Sequence, residues 1–137
     1  MLNRTTTRRI SLALCAAMLC AATSAASEAT PRVAVNDPKV LMLAAIDAHD
    51  GRAFGILTGE LADAISQRFS ATSALFMDVT TLARYAQDGC RRLNVRFWQE
   101  GIRLAEGQVP QKQTIDIGIN YCRNGQPPAT LRLEPKL

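Results

Sequence analysis

The chain has 137 residues, of which 47% are hydrophobic and 20% are charged, and its formal net charge at pH 7 is +4. This length suits one domain with one modest core and leaves no room for a second. The chain has four cysteines, a single histidine, and no G-x-S-x-G or H-E-x-x-H motif. The zinc sites and hydrolase classes that depend on those patterns are therefore excluded.

The first 26 residues have the pattern of an export signal. Three arginines precede an apolar run at residues 10–22, and the small-residue stretch TSAAS follows that run. The run is too short to span a membrane. Cleavage after Ala26 would place Ser24 and Ala26 at the two positions that a signal peptidase reads, and cleavage at Ser24 or Ser27 is an alternative.

Two further export routes stay open beside the general one. Lipoprotein processing needs a small residue before the lipidated cysteine, whereas Cys15 and Cys20 each follow a leucine, which favours a role for both as apolar filler of the signal. The pair Arg8-Arg9 begins a partial twin-arginine pattern, in which Ser11 stands where an aromatic or large apolar residue is usual.

Removal of the signal changes the charge of the chain. Thirteen basic and twelve acidic side chains remain, so that the net charge falls to +1 and much of the whole-chain pI of 9.2 belongs to the targeting segment. The remaining asymmetry is internal, because residues 90–137 carry eight basic and four acidic side chains.

Only two cysteines, Cys90 and Cys122, remain after cleavage of the signal. A pair of cysteines in an exported protein predicts a disulfide, because the compartment is oxidising. In the chain-entropy account, a disulfide that closes the chain segment between these two cysteines stabilises the fold by about 3 to 4 kcal/mol.

The predicted elements begin after residues 27–36, a small, polar, Pro-containing stretch that we interpret as a flexible leader. Asp37 then has the character of a helix N-cap, with Pro38 at the first helical position and Gly51 just past the end. These signals favour a helix, and a hairpin that turns at Asp50-Gly51 is the alternative.

A second helix is predicted at about residues 58–69. Its apolar positions recur at helical spacing, namely Leu57, Leu61, Ala64, Ile65 and Phe69. The next stretch, residues 74–82, is rich in apolar and β-branched types and predicts a strand.

Two later stretches alternate between apolar and polar residues, as half-buried strands do. In GCRRLNVRFWQEG, at residues 89–101, one face holds Leu93, Val95 and Phe97. The other face of that strand holds Cys90, Arg92, Asn94, Arg96 and Trp98. In QTIDIGINYC, at residues 113–122, the apolar face holds Ile115, Ile117, Ile119 and Tyr121.

An antiparallel ladder with Cys90 opposite Cys122 fixes the register of these two strands. Apolar residues then face one another in the pairs Leu93–Ile119, Val95–Ile117 and Phe97–Ile115. The same register gives the pairs Arg96–Asp116, Asn94–Gly118 and Trp98–Thr114. A slip of one residue would place every apolar side chain against the polar face, so that the disulfide and the alternation select one register.

The connection between these strands, residues 100–112, contains glycine and proline and predicts a loop, with a short strand at residues 102–104 as an alternative. We therefore expect an α+β fold in which two helices pack on a small antiparallel sheet closed by one disulfide. Residues 37–137 would form this single small domain.

The pattern predicts no catalytic residue, no cofactor and no metal site. His49 lies at the end of the first predicted helix, where contact with the negative end of the helix dipole accounts for it. Glu60 and Asp63 share one helical face and are interpreted as a solvated edge.

The best candidates for a binding role are Arg92, Arg96 and Trp98, which lie on the strand face that the core does not use. A solvated face is the alternative, because Asp116 opposes Arg96 and because a tryptophan there often covers a glycine such as Gly118. A protein partner is favoured over nucleic acid, which would require more basic and aromatic residues.

The segments GCRRLNVRFWQEG and DIGINYCRNGQPP resemble small exported accessory proteins of bacterial conjugative elements and their type IV secretion gene clusters. The resemblance covers about residues 89–128 and consists of a GC dipeptide, an alternating strand and an N-Y-C-x-x-G-x-P-P tail. It implies an accessory role in the cell envelope and carries over no active site.

Together these observations predict a non-enzymatic exported protein, periplasmic or secreted, that binds another envelope protein and has no membrane span after cleavage of the signal. A role in a conjugation or type IV secretion apparatus follows from the resemblance alone. The alternative function is a small envelope hydrolase or an inhibitor of an envelope enzyme, which a deep cleft with convergent polar residues would favour.

Overall fold

The computed structural model of the protein describes residues 30–135. In chain order the elements are β1 (Val33–Val35), α1 (Pro38–Asp47), β2 (Arg52–Leu57), α2 (Glu60–Arg68), β3 (Leu75–Arg84), β4 (Cys90–Ile102) and β5 (Gln111–Cys122). The strands form one sheet in the order β1-β2-β3-β4-β5, in which only the β1–β2 pair is parallel. The predicted α+β class is confirmed, and the predicted signal lies outside the described residues.

Helix α1 begins where the local signals place it. The Asp37 carboxylate accepts a hydrogen bond from the Lys39 amide at 2.9 Å, and Pro38 occupies the first turn, where its missing N–H costs nothing. The helical interpretation is therefore correct and the hairpin alternative is wrong. The buried side chains of α1 pack on the sheet; they are Leu41, Met42, Ala45 and Ile46.

Two short strands are absent from the predicted elements. β1 lies in the stretch interpreted as a flexible leader, residues 27–36, and pairs with β2, so that interpretation is wrong for Val33–Val35. Three residues are too few to show alternation, and the pairing is supplied by β2, which is distant in sequence. In β2, a Cβ at Gly55 would collide with Leu41, so the glycine lets α1 lie directly on the strand.

The predicted apolar face of α2 is correct only in part. Ile65 packs against the core as predicted, and Ala62 is buried beside it, whereas Leu61 is 67% exposed and Leu57 belongs to β2. A polar contact fastens α2 to the sheet: the amide nitrogen of buried Gln99 donates to Ser66 Oγ at 2.6 Å.

The predicted register of β4 and β5 is confirmed at each pair. Cys90 faces Cys122 and the two form a disulfide with a Cα–Cα distance of 4.0 Å. Beyond Gln99 the ladder is irregular, and β4 continues to Ile102, so the predicted loop at residues 100–112 shortens to residues 103–110. The alternative strand at residues 102–104 is represented only by Ile102, as the end of β4.

Both helices pack on one side of the sheet, which we call the covered face. Met77, Val79, Leu93 and Val95 are fully buried there beneath α1, which lies mainly over β2 and β3. The apolar side of β5 is not covered in the same way, because Ile115 is 63% and Ile117 is 43% exposed. The expectation of a buried apolar face is therefore correct for β4 and wrong for the middle of β5.

Candidate functional site

Within residues 30–135 neither helix packs on the opposite side of the sheet, which we call the open face. The predicted candidates Arg92, Arg96 and Trp98 all project from β4 onto this face, since they alternate with the buried residues Leu93 and Val95. Each of the three makes specific contacts with neighbouring strands, and these contacts shape the surface.

Trp98 belongs to an aromatic stack bracketed by two cations. Its ring stacks on Phe76, its partner across the ladder on β3, with centroids 4.1 Å apart. The Arg32 guanidinium lies 4.9 Å from the Phe76 centroid and 5.2 Å from that of Trp98, and the Phe54 ring is 5.7 Å away. Lys112 of β5 places its Nζ 4.0 Å from the Trp98 ring. Such cation–π contacts hold the rings and the charges together.

Asp78 connects the cation and the indole of this stack. Arg32 donates to Asp78 Oδ1 at 2.6 Å, and the Trp98 indole N–H donates to Oδ2 at 2.9 Å. The side chains of Arg32 and Asp78 are only 17% and 22% exposed. Since both carboxylate oxygens are bonded, Asp78 fixes Arg32 and Trp98 relative to each other.

Arg96 forms the cross-strand ion pair that its register with Asp116 predicts. Arg96 Nε and Nη2 donate to the two oxygens of Asp116 at 2.8 and 3.2 Å, and Asn94 also donates to Oδ1 at 2.8 Å. The hydrogen bonds from Arg96 and then from Asn94 hold the pKa of Asp116 below its usual range. The side chains of this pair remain about half exposed.

Arg92, and not Trp98, covers Gly118. The guanidinium of Arg92 lies where a Cβ at Gly118 would be, and Arg92 donates to Asn120 Oδ1 at 3.0 Å. The same oxygen accepts from the Tyr85 hydroxyl at 2.7 Å. Arg92 is thus held flat against β5.

A shallow depression of about 270 Å³ lies in the middle of the open face. It is lined by Arg52, Phe54, Asp78, Thr80, Leu82, Asn94 and Arg96. The arrangement offers cations and an aromatic edge but no nucleophile paired with a base. Carboxylates and apolar groups are the ligands that would complement these cations and this aromatic edge.

Half of this surface could not be found in the sequence. Arg32 lies in the stretch interpreted as a leader, Phe54 in a strand without a predicted assignment, and Lys112 in the predicted loop. Phe76 lies in a predicted strand, and its alternation with Leu75 and Met77 is the one local signal that would have placed it on the open face.

Other polar residues considered in the sequence lie apart from the open face. His49 is exposed in the turn after α1, and Glu60 and Asp63 are exposed in the first turn of α2. In the described part of the chain no three His, Cys, Asp or Glu side chains could hold a metal ion together. The helices found between residues 30 and 135 are all too short or too polar to cross a membrane.

No protein-family model matches the chain, and neither curated proteins nor solved structures show significant similarity to it. The geometry of the open face is therefore the basis for assigning a function.

Proposed function

We propose that this protein is a non-enzymatic binding protein of the bacterial cell envelope, which engages another envelope protein through the open face. The observation that carries the proposal is the aromatic stack of Phe76 and Trp98 with Arg32 and Lys112, ordered on a sheet face that neither helix covers. Aromatic and arginine side chains that are held in place beforehand are the usual anchors of protein interfaces.

The charge of the open face supports a partner with acidic and apolar groups. The contacts described above involve four cations and two carboxylates, and Arg52 adds a fifth cation, which leaves an excess of three positive charges. Two of these cations are already paired with Asp78 and Asp116, which leaves few for a phosphate backbone, so a protein is a better partner than nucleic acid.

The disulfide supports a site of action outside the reducing cytoplasm. Periplasmic residence after removal of residues 1–26, and an accessory role in a conjugation or type IV secretion apparatus, belong to the proposal. They rest on the pattern of the amino-terminal segment and on the resemblance at residues 89–128. No observation favours the hydrolase alternative, since Asp78 is already bonded by Arg32 and Trp98.

Charge reversal on the open face tests this function. Arg52→Glu and Arg96→Glu would each be compared with the wild type and with Arg68→Glu, an exposed control on α2. The proteins would be immobilised, cross-linked to periplasmic extract of the producing bacterium, and analysed by mass spectrometry. We expect a specific envelope partner with the wild type and the control, and a loss of affinity of about tenfold or more with each open-face variant.

Two results would contradict the proposal. One is the absence of any specific partner for the wild type. The other is a partner that the wild type, Arg52→Glu, Arg96→Glu and the control retain equally well, because binding would then occur elsewhere on the molecule.

A further inference from the structure

The free side of β5 is a second surface, distinct from the open face. β5 is the last strand of the sheet and, among the described residues, no strand pairs with its outer side. Edge strands are usually protected by proline, by charged side chains, by bulges or by inward-pointing charges. Between Gln113 and Cys122, β5 has no proline and no irregularity in its ladder, and its one charged residue, Asp116, lies on the open face in an ion pair with Arg96.

The backbone of β5 shows which groups point toward this free side. The Cys122 amide donates away from β4, to Gln126 O at 3.0 Å, whereas the next amide, of Arg123, donates to Gly89 O at 2.9 Å, toward the start of β4. Because the direction alternates along a strand, Thr114, Asp116, Gly118 and Asn120 direct their N–H and C=O groups outward. These four residues form an unpaired row of donors and acceptors.

Apolar side chains accompany this row on the covered face. Ile115 and Ile117 are the exposed isoleucines of β5, and Ile119 follows them in partial burial. An apolar groove of about 170 Å³ lies beside them, between α2 and the end of the β4–β5 hairpin. The edge therefore combines unpaired backbone groups with an exposed apolar stripe, which is the combination that accepts an added strand.

We propose that this edge pairs with β5 of a second copy of the chain, antiparallel and about a twofold axis at Ile117. In this register Ile117 faces Ile117 of the partner copy, and Ile115 faces Ile119. The outward-directed residues then pair as Asp116 with Gly118 and Thr114 with Asn120, and each such pair can exchange two backbone hydrogen bonds.

The charge and polarity of β5 select this register over its neighbours. A twofold axis at Asp116 would place two carboxylates directly opposite each other, which is unfavourable. An axis at Ile115 would oppose Ile117 with Gln113, and an axis at Gly118 would require the Cys122 amide, which Gln126 already occupies. With the axis at Ile117, Asp116 faces a glycine and keeps its ion pair with Arg96.

The strand is thus complementary to itself in one register, and this is the reason for assigning a second copy as its occupant. The product is a continuous sheet of ten strands, with the isoleucines of both copies in contact and both open faces on the same side. Since β5 pairs through its edge, the open face of each copy stays accessible.

Cysteine cross-linking tests the register on the exported protein as purified. Ile117→Cys places a thiol on the twofold axis, where side chains of a non-hydrogen-bonded pair are close, and should give a covalent dimer on non-reducing gels. Ile115→Cys is the matched control, because its partner position is Ile119 and the two introduced thiols lie several residues apart. Cross-linking at position 115 without cross-linking at position 117 would overturn the proposal.

Sedimentation equilibrium tests the association itself. We expect a concentration-dependent dimer for the wild type and a dissociation constant raised at least tenfold by Ile117→Lys, which opposes two ammonium groups on the axis. Leu61→Lys, at an exposed apolar position on α2, is the control and should not change the constant. Circular dichroism verifies that both variants fold.

A further variant tests the backbone hydrogen bonds of the proposed dimer. Thr114→Pro removes an outward-directed N–H at a position where an edge strand tolerates proline, so it should weaken the dimer without unfolding the sheet. A wild type that stays monomeric at concentrations of about 0.2 mM overturns the proposal, and so does a heterologous strand captured at the edge in place of a second copy. Arg52→Glu should leave the dimer intact, which separates this test from that of the open face.

Discussion

Asp116 is the carboxylate that pairs with Arg96 on the open face. Because the hydrogen bonds of Arg96 and Asn94 lower its pKa in the folded protein, ionisation of Asp116 favours folding. The associated stability is present above the ordinary carboxylate pKa and is lost as the pH falls through the lowered value. The pair is solvent-exposed, so its contribution is small and sensitive to salt.

The Asp116→Asn variant makes this pH dependence measurable. At pH 7 we expect a lower free energy of unfolding than in the wild type, and the difference should shrink as the pH is reduced toward about 2. Urea unfolding at several pH values measures the effect, and Glu106→Gln, in the turn between β4 and β5, is the control. A difference that stays constant with pH would show that Asp116 acts only through packing.

Thr81 carries a buried hydroxyl without a hydrogen-bond partner among the described residues. An unpaired buried hydroxyl costs free energy, and valine has nearly the same shape without that cost. We expect Thr81→Val to raise the free energy of unfolding by up to about 1 kcal/mol, whereas Thr80→Val, on the open face, should not. Thermal or urea unfolding of both variants and the wild type measures this difference. A clear loss of stability in Thr81→Val would show that the hydroxyl has a hydrogen-bond partner in solution.

The disulfide joins β4 and β5, which are neighbours in the sheet. Its half-cystines are 32 positions apart in sequence. Replacing both with alanine restores the entropy of the open loop to the unfolded chain, so we expect a loss of about 3 to 4 kcal/mol. The melting temperature with and without reductant measures this effect in the wild type. Equal melting temperatures in the two conditions would contradict the prediction.

The elements with strong local signals are those that the sequence predicts correctly. Asp37 and Pro38 mark the start of α1 through contacts within one turn, and the β4–β5 register follows from alternation and one disulfide. β1 and β2 carry no such signal, since β1 has three residues and Gly55 interrupts β2. The buried face of α2 is predicted only in part, because Leu57 belongs to β2 and Leu61 is exposed, while Ile65 does pack on the core.

The part of the sheet that the two helices cover decides which apolar residues form the core. Alternation assigns Val95 and Ile117 to the same face and to adjacent strands, and yet Val95 is buried while Ile117 is 43% exposed. The difference arises because α1 lies over the middle of the sheet and α2 is only nine residues long. A periodic pattern predicts a face, but the position of a helix layer depends on contacts that are distant in sequence.

The candidate site likewise depends on contacts that are distant in sequence. Arg92, Arg96 and Trp98 are contiguous in one strand and could be proposed from it, whereas Arg32 and Phe54 join them only through the order of the strands. The surface that we propose for binding is therefore a product of topology, and all five strands or their flanking residues contribute to it.

The position of Arg32 beside the aromatic stack has a practical consequence for studies of this protein. Arg32 immediately precedes β1, so an affinity tag fused directly before Arg32 would begin beside Phe76 and Trp98. The carboxyl-terminal tail reaches the sheet at Leu133, opposite Tyr85, nine residues farther along than Phe76 and therefore about 30 Å away. Surface immobilisation through that end leaves the rings free to meet a ligand.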